Sequence, residues 1–133
     1  MSGVSLRRPF LMVGHGGVPI GQGLTRFLTW GGQVYTATES EIFIAVTQDF
    51  TLNVMFFQLD QALGAGESVT VTVRNNGVDT LMTLARTDAD NAVIVKPLFV
   101  NVTFTANNLF SLRVVTSALS GTVTPTIMIG GRI

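Results

Sequence analysis

Apolar and polar positions alternate in short runs over most of the chain, and turn residues separate the runs. The cleanest run is Ser68 to Arg74, where Val69, Val71 and Val73 alternate with Thr70, Thr72 and Arg74, as in a strand with one buried face. Asn76-Gly77 follows. That pair suits a two-residue type I′ hairpin, because both central positions need positive φ. The chain is therefore expected to return through Val78 to Ala85. Further strands are expected over Gln33 to Thr38, Glu41 to Gln48, Phe50 to Leu59, Ile94 to Thr105 (bent at Pro97), Asn108 to Thr116 and Thr122 to Gly130. Asp60 to Leu63 is expected to make one helical turn that Gly64 stops. The sum is about eight antiparallel strands in a sandwich or barrel, with no internal repeat. Long connections between some pairs favour Greek-key or jelly-roll wiring over a meander.

Two of these strands are apolar on both faces. Ile42, Ile44 and Val46 share one side of their strand and Phe43 lies on the other. Leu52, Val54 and Phe56 point one way along the next strand, and Met55 and Phe57 point the other way. Phe43, Met55 and Phe57 thus fall opposite the inferred core. They form a subunit interface, or the N-terminal segment covers them, or the two faces are the other way round.

The chain divides near Gly32, with residues 1–32 read as an extended arm and residues 33–133 as the jelly-roll domain. Eight of the 14 glycines lie in the arm, which makes it a poor helix or strand former, although Leu24 to Trp30 is expected to be a short strand. The arm nevertheless carries Phe10, Leu11, Met12, Ile20, Phe27 and Trp30. A disordered linker would be polar, so this segment is read as one that lies on another surface. Arg7 and Arg8 either pair with acidic or carbonyl groups of a neighbouring chain or end as a solvated tail.

Composition strengthens the case for partners. Only 12% of the residues are charged, about half the ~25% usual in soluble domains, and mean hydropathy is +0.47. A domain of this size exposes much surface, so apolar areas are expected to be covered by copies of the chain or by other subunits. A net charge of zero and a single lysine, Lys96, argue against nucleic acid. The absence of cysteine excludes disulfides and thiolate chemistry. No apolar run reaches the ~20 residues of a membrane helix, and one Trp and one Tyr cannot form the aromatic girdles of a membrane barrel. The Leu6-Arg7-Arg8-Pro9-Phe10 run resembles a twin-arginine export signal, but Gly14, His15, Gly16 and Gly17 interrupt the apolar stretch.

Candidate chemistry is sparse. His15 is the sole histidine and has no acid near it in sequence before Glu39, so no nucleophile–base pair is evident. His15-Gly16-Gly17 lacks the Gly-x-Ser-x-Gly and α/β context of a hydrolase loop, and no Gly-Lys-Ser/Thr phosphate cradle is present. Asp88, Asp90 and Asn91 suit a solvated turn better than a calcium loop. Glu39 and Glu41 suit a solvated edge, or a salt bridge with an arginine, better than paired glycosidase carboxylates. The expectation is a non-enzyme with no cofactor and no metal.

The run from Gly64 to Thr80, with a valine/threonine strand meeting Asn76-Gly77-Val78-Asp79-Thr80, resembles a segment common in jelly-roll proteins of tailed-phage particles. The flanks Thr36-Ala37-Thr38-Glu39 and Leu109 to Val115 agree with it, over roughly residues 33–133. Asn107-Asn108 stands where such domains usually have glycine-aspartate. The resemblance implies a TNF-like or virion jelly roll, commonly trimeric, assembled in the host cytoplasm and located on the capsid surface. Its implied role is a decoration (cement) protein bound to a major capsid protein. A receptor- or glycan-binding knob of a head or tail fibre, and a minor capsid or neck protein, are the alternatives.

Overall fold

The computed structural model describes residues 9–15, 19–28 and 35–133, and of residues 9–15 the strand path alone. The described chain is all-β apart from two short 3-10 turns, at Glu39–Glu41 and Asp88–Asp90. Its strands are β1 (Pro9–His15), β2 (Thr25–Leu28), β3 (Ile44–Ala45), β4 (Phe50–Leu59), β5 (Ser68–Asn75), β6 (Val78–Thr87), β7 (Val95–Leu98), β8 (Val102–Phe104), β9 (Leu109–Thr116) and β10 (Pro125–Arg132). They form two antiparallel sheets, β1-β10-β4-β7 with β8 also on β4, and β2-β9-β5-β6 with β3 also on β9.

Eight strand positions underlie these ten segments. β7 and β8 both pair with β4, at its second and first halves, and so occupy one position interrupted at residues 99–101. β2 and β3 likewise share one edge of β9. The chain changes sheet on leaving β1, β3, β4, β6, β8 and β9, which is jelly-roll wiring. Asn76 and Gly77 have φ of 52° and 76°, the positive pair that a type I′ turn requires. Asn107 takes the left-handed position of the turn before β9, with φ of 76°, so asparagine does the work that glycine does elsewhere.

The core lies between the sheets. Phe50, Leu52, Met55, Phe57, Ile127 and Ile129 face Val69, Val71, Val73, Phe110, Leu112 and Val114, all buried. Phe104 joins the two layers: its ring stacks on Phe50 at 5.2 Å and tilts against Phe110 at 5.5 Å. Such aromatic pairs add to the burial term.

The structure differs from the sequence reading in several places, and Asp60 to Leu63 makes no helical turn. Met55 and Phe57 are fully buried inside the sandwich, and their neighbours Val54 and Phe56 face outward. The cause is a β-bulge: Gly130 pairs with Val54 but Gly131 pairs with Leu52, so Asn53 is an extra residue and the alternation changes phase there. Glu41 to Gln48 is not one strand, since Glu39–Glu41 makes a turn and only Ile44 and Ala45 join β9. Gln33 to Thr38 contributes a single bridge, Thr36 to Phe27, within its described part. Finally, β1 forms where no strand was expected, pairing along β10 from Pro9↔Arg132 to His15↔Ile127; cross-strand partners override the poor local propensity of a glycine-rich stretch.

Candidate functional site

The outer face of the β1-β10-β4-β7 sheet carries an apolar patch. Phe56 pairs with Met128 on β10 on one side and Pro97 on β7 on the other, and Val54 pairs with Gly130. Just past β7, Phe99 packs edge-on against Phe56 with centroids 6.4 Å apart, yet remains 72% exposed. A protruding phenylalanine held by another is a rigid apolar surface, the kind that interfaces use as an anchor.

A polar notch adjoins this patch. The Asn53 bulge in β4 lies opposite the break between β7 and β8 at residues 99–101. The two irregularities open a cavity of about 170 Å³ lined by Thr51, Asn53, Asn101 and Arg132. Thr51 is tied to Thr103 through their hydroxyls at 3.3 Å.

The outer face of the second sheet is organised by charge. Glu39 accepts from Arg74 Nε at 2.6 Å and Nη2 at 3.2 Å, and from the Ser111 hydroxyl at 2.7 Å. Arg74 also donates to Asp79 and to the Gly77 carbonyl, and Asp79 accepts from Arg113 at 2.9 Å. The Arg74 guanidinium lies 6.0 Å from the centroid of the Phe27 ring, a cation–π distance. Gly77 is confined by its positive φ, while a Cβ there would meet Glu39 Oε1 at 3.5 Å, an ordinary contact. Burial pushes the Glu39 carboxyl up, but the hydrogen bonds from Arg74 and Ser111 outweigh it and hold the group below its ordinary range. Asp79 shows the same balance, with desolvation opposed and exceeded by Arg113 and Arg74.

Because both carboxyls bind protons less tightly folded than unfolded, their contribution is complete above the unfolded pKa and lost as pH falls through the folded one. The melting temperature should be flat from about pH 8 to pH 5 and fall below about pH 4. Glu39→Gln should reduce stability by about 1–2 kcal/mol at pH 7 and flatten that acid limb, as followed by circular dichroism.

The open edges β6 and β7 are joined by side chains. Arg86, buried, donates to the carbonyls of Phe57 at 2.9 Å, Asp90 at 3.0 Å and Ile94 at 3.2 Å, and to that of Val93. Lys96 Nζ bonds the Ala85 carbonyl at 2.8 Å and Asp90 Oδ2 at 3.0 Å. The Asp90 carboxylate caps its own turn through the Thr87 amide, and this bond with Lys96 holds its pKa down. Asn91 clamps the backbone of Leu63 from both sides, at 2.9 and 2.7 Å. Asp90 and Asn91 thus serve the loop itself. Among the described residues no cluster of three His, Cys, Asp or Glu could hold a metal, and no helix is long and apolar enough to cross a membrane.

The residues expected to make contacts are distributed unevenly. Ile20 is core, 2% exposed and bridged to Val123, and Phe27 lies half-buried under Arg74. Phe10, Leu11 and Met12 lie on β1 opposite Gly131, Gly130 and Ile129. Arg7, Arg8 and Trp30 fall outside the described residues. Phe43 is half-buried, with Cζ 3.9 Å from the Cβ position of Gly77, so it covers the hairpin turn of its own chain. Sequence reasoning missed Phe99, Arg86 and Arg132. Arg86 was detectable, since it is in phase with Met82 and Leu84 on β6 and therefore points inward.

No family model matches the chain, and no curated protein sequence matches it. Among solved structures it is similar to one from the infectious bursal disease virus Gx strain, with a TM-score of 0.34 and 16% identity. That match covers 100% of this chain and 36% of the viral one, so the chain spans little more than a third of its length. It is also similar to the broad bean stain virus structure, with a TM-score of 0.32, 9% identity, and coverage of 97% of this chain and 87% of that one.

Proposed function

We propose that this chain is a structural subunit of a virus particle, a decoration protein that self-associates, as a trimer, and binds a major capsid protein on the particle surface. The observation that carries the self-association is the outward patch of Val54, Phe56, Pro97, Phe99 and Met128 on a chain with only 12% charged residues. Covering it with a second subunit removes apolar area from water at about 25 cal/mol per Å². The virion setting is supported by the Gly64 to Thr80 resemblance to tailed-phage jelly-roll proteins, whose implied strand wiring this chain has. The expected arm of residues 1–32 supplies β1 and β2 to the sheets; in this reading the residues ahead of β1 reach toward the shell, with Arg7 and Arg8 meeting acidic or carbonyl groups there. Assembly takes place in the host cytoplasm.

Light scattering should show a trimer at micromolar concentration. The double variant Phe56→Glu, Phe99→Ser should weaken association at least about tenfold, with a melting temperature near wild type because both side chains lie outside the core. It should also co-sediment less with assembled shells of its virus. A wild-type monomer that ignores such shells would refute the proposal.

A further inference from the structure

We propose that the notch of Thr51, Asn53, Asn101 and Arg132 is a carboxylate site, and that Asp88 of a second copy of this chain fills it. This rests on the self-association reading and names the polar contact that orients it. Among the described cationic side chains, Arg132 alone has no hydrogen bond or ion pair: Arg26 bonds the Thr25 carbonyl, and Arg74, Arg86, Lys96 and Arg113 are all engaged. Among the described side-chain carboxylates, Asp88 alone is in the same position. Glu39, Glu41, Asp49, Asp60, Glu67, Asp79 and Asp90 each accept at least one bond. The residues lining the notch carry a guanidinium, two amides and a hydroxyl, and none of them is an acid. Such a donor set recognises a carboxylate, and a planar guanidinium does so best.

The two groups cannot meet within one chain. Arg132 pairs with Thr51 at the start of β4. Asp88 opens the turn whose Asp90 binds Lys96, at the strand that pairs with the far half of β4 as far as Val95↔Gln58. Thr51 and Gln58 are roughly 23 Å apart along the strand at about 3.3 Å per residue. Two complementary groups at opposite ends of one sheet describe a head-to-tail contact, which closes into a ring when the rotation allows. In such a ring each subunit gives its Arg132 end to one neighbour and its Asp88 end to the other, and the Phe56 patch between them on the same strand adjoins both contacts.

Sedimentation equilibrium on the whole chain distinguishes the outcomes. Arg132→Glu and Asp88→Arg should each weaken association about tenfold or more, since like charges then face each other, and high salt should shrink the difference. The double variant should return to within about threefold of wild type, because the pair is restored with its signs exchanged. Both positions are exposed, so melting temperatures should be unchanged. Associating wild type with no effect of either single variant would overturn this inference and leave the self-association reading standing. Two weakened single variants without rescue would overturn Asp88 as the occupant. A monomeric wild type would remove both.

Discussion

Replacing Arg86 with methionine is expected to destabilise the domain by about 3–5 kcal/mol, far more than a surface arginine would. Methionine keeps much of the stem's volume and flexibility, so the loss isolates the guanidinium. That group gathers the carbonyls of Phe57, Asp90, Val93 and Ile94 at one buried point, tying β4 to the loop between β6 and β7. Without it they are left facing a site into which a 5%-exposed side chain admits little water. Arg86→Lys should recover only part of the loss, since one ammonium cannot reproduce the planar fork. Hydrogen exchange should accelerate first at residues 88–98, where the β6 edge meets the β7 edge, while the β5–β6 hairpin turn stays protected. Urea unfolding gives the magnitude. A loss below about 1 kcal/mol would mean that the carbonyls find other partners and that the two edges are held together by packing alone.

How far the sequence reveals this fold follows from where the information resides. The β5–β6 hairpin is local: a valine/threonine alternation, then Asn76-Gly77, then the return strand, all within twenty residues or so. Such elements were legible; the expected number of strands agrees with the observed positions only because the missed β1 offsets Gln33 to Thr38, which forms no strand in its described part. The phase change in β4 was not, because its signature is in another strand, the Gly130-Gly131 step of β10. A run of alternating apolar residues looks the same with or without an extra residue bulged out of its middle. β1 was missed for the same reason, since its pairing depends on β10 from the other end of the chain. The charge cluster was half legible. A salt bridge from Glu39 to an arginine was one of two readings, beside a solvated edge, but Arg74, Asp79, Ser111 and Arg113 come together only through sheet pairing across segments up to 74 residues apart. The interaction surface inherited the phase error: Met55 and Phe57 were proposed where Val54 and Phe56 in fact face outward.

That exchange of faces makes neighbouring phenylalanines a direct test. Phe57→Ala is expected to cost about 3–5 kcal/mol, a fall of roughly 10–20 °C in melting temperature for a domain of this size. The ring is 0% exposed and the alanine leaves a void between the sheets that close-packed neighbours cannot collapse to fill. Phe56→Ala, one position earlier, should cost less than about 1 kcal/mol to the isolated subunit, because its ring touches Phe99 on the outer face and leaves no cavity. Its effect should instead appear in self-association, which Phe57→Ala should alter only through unfolding. The bulge itself supplies the control. Removing Asn53 closes the bulge: Leu52 and Val54 become neighbours opposite Gly131 and Gly130, and Phe50, Leu52, Met55, Phe57 and Leu59 all keep the inner face. The deletion should therefore cost much less than Phe57→Ala. If instead Phe56→Ala costs as much as Phe57→Ala, the period-two reading of β4 was right and Phe56 belongs to the core.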